Sequence, residues 1–256
     1  MAKASKLDLD KKKKELDKHL SKMVDPVAGQ QKIPSLITMV LGAIRSSWAI
    51  SPVKLAYFEM GRTPDEDNTP RKWKWQCEYC DNWLSEGEVE IDHLVGNHSF
   101  KKPSDFENYF NNILDVQFQD LQRICKFKCH RVKSHLERQG FSTMSEAACD
   151  KINIFLIKFT TTELYTTWLQ ENGVIPESSA PKRRKQGLEF WRGLGVPEDE
   201  LLNFFESCDY LMRLEAKKKK AKRFKLTGRD TTKLQYFISF WSRYNIKEPV
   251  CEFTLV

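Results

Sequence analysis

The sequence predicts an α+β protein in which a short, strand-rich region bounded by cysteines lies between helical segments. Three observations predict it. Apolar residues recur at helical spacing over residues 33–60, over Met144–Phe159 and in the C-terminal tail. Between the first two lie three short runs rich in aromatic and β-branched residues, WKWQCEY, EVEIDHL and LQRICKF. Four of the seven cysteines fall into two close pairs, Cys77/Cys80 and Cys125/Cys129, that bracket this strand-rich part.

Residues 1–32 read as a basic, weakly helical arm whose densest charge is the lysine run at 11–14. Residues 33–70 form a helical lead-in. There IPSLITMVLGAIRSSWAISPVKLAYFEM is helical on both sides of a break at Ser51-Pro52, and the polar TPDEDNTP ends it. Residues 71–172 hold the three strands, two helical stretches (PSDFENYFNNIL and CHRVKSHLERQ) and a packing helix carrying Ala147, Ala148, Ile152, Phe155, Leu156 and Phe159 at helical spacing. VIPESSAPKRRKQG, within residues 173–187, is rich in Pro, Ser and positive charge and reads as a basic linker. Residues 188–256 form a helical C-terminal region, in which PEDELLNFFESCDYLMRLE opens on Pro197 with acids in its first turn.

Composition sets outer bounds. Of 256 residues, 42 are Lys or Arg and 35 Asp or Glu, a net charge of +7, and 40% are hydrophobic, enough for a core without apolar excess. The longest apolar stretch, Ile33 to Ile44, is interrupted by Pro34, Ser35 and Thr38 and falls short of the roughly 20 residues a membrane helix needs. No membrane span is expected. The basic N-terminus is followed by charges instead of an apolar signal region, so a cytoplasmic location is expected. Cys149, Cys208 and Cys251 stand alone in or beside apolar runs and read as buried thiols.

The two cysteine pairs carry the first chemistry. Four thiolates about 2.3 Å from a tetrahedral Zn²⁺ require two such pairs brought together by the fold, so Cys77, Cys80, Cys125 and Cys129 are the candidate ligands of a structural zinc. The alternative is four core thiols, for which the three-residue spacing inside the second pair is the best support. Between the pairs, Asp92-His93 ends a predicted strand, where adjacent side chains point to opposite faces. One is suited to hold a divalent cation, the other to take a proton near neutral pH. His130 opens the helix CHRVKSHLERQ about 100° around from Cys129, with Lys133 and Ser134 on its own face. That face suits phosphate, or is a solvated helix side. His98 and His135 read as surface or supporting residues.

Taken in order, C-x-x-C, a strand ending in Asp-His, a helix, Asp-Leu-Gln and a cysteine pair running into His and Lys resemble the HNH endonucleases. The likeness is closest to the zinc-ribbon HNH proteins encoded by bacteriophages. It covers residues 73–138, through VEIDHLVG, PSDFENYF and DLQRICKFKCHRVKS. It implies a ββα-metal core with His93 as the general base, Asp92 binding a catalytic Mg²⁺ or Mn²⁺, and His130 completing the metal or phosphate site. Asp120 stands where the family usually has Asn before Leu-Gln, as a third ligand or a loop clamp. The second pair is C-x3-C where the family mostly shows C-x2-C, and Ser134 replaces a common Thr.

DNA is the expected partner. Besides Lys133 and the run at 11–14, two basic clusters are candidate phosphate contacts: Lys182, Arg183, Arg184 and Lys185; and Lys217, Lys218, Lys219 and Lys220 with Lys222, Arg223 and Lys225. Each also fits a solvated face. Trp73, Trp75 and Trp83 pack on the first knuckle or stack on bases. The expectation is a metal-dependent DNA endonuclease with a homing-like or DNA-processing role. The alternative is a non-catalytic zinc-ribbon DNA-binding protein. No dimerisation signal sets the oligomeric state.

Overall fold

The computed structural model describes residues 11, 13–15, 17–18, 33–66, 73–96, 98–220 and 227–247. Most of the basic arm, with Lys222, Arg223, Lys225 and Cys251, lies outside the described residues. The fold is α+β, helices with two small sheets. It divides into two compact units: the described residues of Met1–Arg62 with Ile91–Gln122, and those of Thr63–Glu90 with Arg123–Val256.

In the first unit, α1 (Ile33–Ala49) and α2 (Pro52–Met60) part at Ser51 because Pro52, lacking an N–H, belongs in the first turn of a helix. Helix α1 packs on α3 (Phe106–Leu114). Tyr57, Ile91, Val116 and Leu121 form a buried cluster, flanked by Trp48, Val53 and Phe58. Taken together across the Ser51 break, Ile33–Met60 is by length and composition apolar enough to cross a membrane, with a mean hydropathy of 1.4 over its best window, of which 6% is buried. The polar interruptions are milder than they look: Pro34 and Ser35 sit at the helix start, and Thr38 spends its hydroxyl on the Pro34 carbonyl at 2.9 Å. Core helices of soluble proteins pass the same test.

Strands β4 (Val89–His93) and β5 (Leu121–Cys125) pair, and the boundary between the units runs through both. Within the first unit the Leu94 N–H donates to the Asp120 carbonyl at 2.7 Å, and within the second the Lys126 N–H donates to the Glu88 carbonyl at 2.8 Å. Numbers rising on one strand as they fall on the other make the pair antiparallel.

In the second unit, β1 (Arg62–Pro64), β2 (Trp73–Gln76) and β3 (Trp83–Leu84) form a sheet, with Trp75 opposite Leu84. The helices are α4 (Cys129–Gln139), α5 (Met144–Phe159), α6 (Thr162–Glu171), α7 (Ala180–Gly193), α8 (Glu198–Lys220) and α9 (Gly228–Arg243). Helix α5 is the central element: α4, α7 and α8 pack on it, and α9 packs on α8. Its Thr143 cap accepts from the Glu146 N–H, and Ala147, Ala148, Ile152 and Leu156 are fully buried. Phe204 of α8 stacks on Phe240 of α9 at 3.8 Å, inside a cluster with Trp168, Trp191 and Trp241.

Two elements differ from expectation. Helix α6 falls in a stretch with no predicted element, where three β-branched threonines lower helix propensity. Tyr165, Trp168 and Leu169 nevertheless share a buried face, and Thr161 caps the helix by accepting from the Leu164 N–H. The basic stretch read as a linker is helical from Ala180, and it packs on α5.

A buried polar network explains that packing. Asp150, 3% exposed, accepts from His135 at 2.7 Å and from Arg184 Nε and a terminal nitrogen at 3.2 and 2.8 Å. Asn153 donates to the Arg184 carbonyl at 2.7 Å, and the Tyr165 hydroxyl donates to Asn153. His135, read from sequence as a surface or supporting residue, is thus a buried partner of Asp150. Burial pushes the Asp150 carboxyl up, but hydrogen bonds from His135 and then Arg184 outweigh it and hold the group below its ordinary range.

The network can be tested at two positions. A Cβ on Gly187 would meet both Asn153 Oδ1 and the Tyr165 hydroxyl oxygen well inside van der Waals contact, so Gly187→Ala should cost about 1–3 kcal/mol in urea unfolding. A melt equal to wild type would remove the close approach. Because the folded Asp150 pKa is depressed, its contribution is complete above the unfolded value of about 3.9 and is lost as pH falls through the folded value. Asp150→Asn should therefore flatten the acid limb of the stability–pH curve, and an unchanged limb would contradict the assignment.

Candidate functional site

The first knuckle turns on backbone hydrogen bonds. The Asp81 N–H donates to the Cys77 carbonyl at 2.9 Å, and the Cys77 N–H to the Asn82 carbonyl at 2.9 Å. Closing so tight a turn puts Asp81 in the left-handed region, at φ 56°, which Asp tolerates better than most residues. The second knuckle runs from the end of β5 through Lys126, Phe127 and Lys128 into the first turn of α4, so its extra residue fills a strand-to-helix turn. The Glu78 N–H donates to the Arg123 carbonyl at 2.8 Å, the Arg123 N–H returns a bond to Glu78 Oε2 at 3.0 Å, and the two side chains pair, joining the knuckles.

These bonds bring the sulfurs of Cys77, Cys80, Cys125 and Cys129 within 4.8 Å of one another, with Cys80 and Cys125 3.5 Å apart. A tetrahedral ion with 2.3 Å bonds to sulfur sets its ligands about 3.8 Å apart, so the set suits a metal such as zinc. All four are free thiols, and among the described residues they are the one group of three or more metal-ligating side chains so gathered. Hydrogen bonds from Cys125 and then Cys129 pull the Cys77 thiol down and the Cys80 thiol down to about 6. Cys129 is pushed up in return by Cys125, Cys77 and Cys80. The four cannot all ionise on their own, and a dication removes that conflict.

Lys128, between Cys125 and Cys129, was not singled out by sequence. It is 4% exposed, its ammonium donates to Asn203 at 3.1 Å, and Cys80, Cys125 and Cys129 overcome the burial that would lower its pKa and hold it up. Other contacts fasten the knuckles to α8. The Tyr79 hydroxyl donates to Glu198 at 2.5 Å, Arg131 pairs with Asp209, and the Arg213 guanidinium carbon lies 4.3 Å from the Phe127 ring centroid.

His93, Asp92 and Asp120 lie in the first unit. The β4 burial pattern alternates, putting His93 on the buried face and half-buried Asp92 on the other. His93 is 7% exposed, its ring 4.4 Å from Trp48, and its Nε2 is 3.1 Å from the Ile113 carbonyl. A carbonyl only accepts, so Nε2 carries a proton, and in the neutral form of the ring the lone pair is on Nδ1. The His98 ring stands edge-on to His93 at 6.3 Å. Exposed Asp120 accepts from the Gln117 N–H at 2.8 Å through its side chain, while its carbonyl accepts from Leu94. It clamps the loop before β5.

His130 and Lys133 lie in the second unit, in α4, both half-buried, and Lys133 pairs with Glu137 at 2.9 Å. In the 182–185 cluster, Arg184 is committed to Asp150, and Arg183 donates to the Glu177 and Ser178 carbonyls at 3.3 and 3.2 Å. Lys182 and Lys185 make exposed ion pairs with Glu177 and Glu189. Lys217 and Lys218 are exposed at the end of α8, which continues through Lys219 and Lys220. Trp75 is buried, whereas Trp73 and Trp83 are exposed. Cys149 and Cys208 are buried thiols, and burial pushes Cys149 up to about 12.

The chain matches no protein-family model, no curated protein and no solved structure.

The knuckle geometry predicts opposite outcomes at one position. Asp81→Gly should keep or tighten metal binding, since glycine enters the left-handed region without strain, while β-branched Asp81→Val should weaken it about tenfold or more. Competition against a zinc chelator measures both. Equal affinities would show that the turn is not strained.

Proposed function

We propose that this protein is a metal-dependent DNA endonuclease of the HNH type whose four-cysteine cluster holds a structural zinc. The observation that carries the reading is His93 at the end of β4. Its tautomer is set by the Ile113 carbonyl, it is adjacent to Asp92, and it is followed in the chain by β5 and by a helix that starts on a cluster cysteine. Asp120 supports the reading as the loop clamp, a role that carboxylate and amide oxygens fill alike.

On this reading His93 Nδ1 takes a proton from water as the water oxygen bonds to phosphorus and the bond to the leaving oxygen breaks. Asp92 offers one carboxylate oxygen, in keeping with Mg²⁺ or Mn²⁺ sites that draw their other ligands from substrate phosphate and water. When bound, such an ion offsets the charge that grows on the phosphate. His130 and Lys133 would serve a metal or phosphate role, to be tested by their own substitutions. The biological role would be homing-like cleavage or phage DNA processing in the host cytoplasm.

A specific observation favours the second reading, a non-catalytic zinc-ribbon DNA-binding protein: His93 is 7% exposed, and a base must reach water. Cleavage of supercoiled plasmid separates the two. The nuclease reading predicts cutting that needs added Mg²⁺ or Mn²⁺, falls at least a hundredfold in His93→Ala and leaves DNA affinity intact. Equal cutting by wild type and His93→Ala would overturn the site. Tight DNA binding with no cutting under any divalent ion would favour the binding protein.

A further inference from the structure

The second unit contains a cavity of about 280 Å³ beside the cysteine cluster. The geometry points to this cavity as a binding site for a phosphate group, contributed by a DNA strand. The source of that phosphate rests on the DNA-nuclease reading; the chemistry of the site does not.

Four cations and two carboxylates line the cavity: Lys128, Arg213, Arg229 and Lys233 against Glu88 and Glu206. Both carboxylates are already engaged, Glu88 by Arg229 at 2.5 Å and Glu206 by Lys233 at 3.0 Å. Lys128 faces the cysteine cluster and Arg213 pairs with Asp209 at 3.0 Å, so the cations open to exchange with a guest are Arg229 and Lys233. Cations on that wall disfavour a metal ion, and an apolar guest would strip water from charged groups with nothing in return. An anion with several oxygens meets neither objection. Arg229 and Lys233 are four residues apart on α9 and so share a helix face. The Arg229 side chain is 58% exposed, and ion pairs this open to water contribute little, so it can exchange Glu88 for phosphate at small cost.

The remaining wall distinguishes a nucleotide from a bare ion. Trp83, in the cavity wall, is 51% exposed, with one ring face approached at 5.2 Å by Nζ of Lys74, which also pairs with Asp65. Phe127 is already covered by Arg213. Trp83 thus presents an aromatic surface on which a base stacks when its phosphate meets Arg229 and Lys233. The basic runs read from the sequence are not needed here, because these cations come from separate positions that the fold collects.

The test measures binding to the full-length, metal-loaded protein without added Mg²⁺, so that affinity is read apart from cutting. The probes are a short labelled DNA duplex and deoxyadenosine monophosphate. In the double variant Arg229→Ala, Lys233→Ala, duplex affinity should drop about tenfold, and the log–log salt slope should fall by roughly 1.8, at about 0.9 per lost phosphate contact. Should the double variant lose its metal or its circular dichroism, Lys233→Gln alone should give about half that slope change. Loss of monophosphate binding with duplex affinity kept would support the phosphate site and make a free nucleotide its source. If the folded double variant binds both probes as wild type does, or wild type binds neither, the assignment is overturned. A wild type that binds through these residues but never cuts leaves the cavity standing and sinks the nuclease. One that cuts, with affinity indifferent to both substitutions, does the reverse.

Discussion

Four cysteine sulfurs held within 4.8 Å of one another cannot all ionise without a cation among them, and a metal held there would tie together the strand-rich part of this protein. Its strands are short, β3 being two residues and β2 four, and sheets of that size are marginal in water. A structural zinc contributes about 10–16 kcal/mol in small zinc-finger peptides, comparable to the roughly 5–15 kcal/mol that stabilises a whole domain. By magnitude, then, such a metal would outweigh the hydrogen bonds of the knuckles, each worth about 1 kcal/mol. Those bonds act differently, by setting the sulfur positions that an ion would meet.

The cluster also reaches beyond the knuckles. Tyr79, Lys128 and Arg131 each hold a residue of α8, and α8 packs on α5 and α9. The ribbon and the C-terminal helices consequently share one compact unit, where the sequence separated them by a linker. The helices bring a core of their own, with Phe204, Phe240, Trp191 and Trp241 nearly or fully buried. A metal on the cysteine cluster would add to the order that this aromatic packing already gives the unit.

Legibility from sequence followed how local each signal was. The cysteine pairs, the Ser51-Pro52 break, α5 and the strand ending at His93 depend on spacing within a few residues, and each is found where the pattern put it. Helix α6 was hidden because its threonines speak against a helix, while Trp168 and Leu169 favour one only once a core exists to bury them. The helix through the 182–185 run was hidden in a stretch read as a linker for a related reason. Composition marks Arg184 as a solvent-facing cation, and only its distant partner Asp150 makes it structural. Asp120 shows the opposite case: of its two open readings, ligand or loop clamp, the hydrogen bond from a residue three positions away fits the clamp. Lys128 and the cations around Trp83 carried no signal, because their meaning lies in neighbours far along the chain.

That the four cysteines together hold one metal ion is tested most directly by native mass spectrometry of the purified chain and of Cys129→Ser. One zinc per wild-type chain is expected, and its loss in the variant, since the three thiols left no longer close a tetrahedral site. A wild-type chain that carries no metal after zinc-supplemented expression, or a zinc that survives Cys129→Ser, would contradict the shared site.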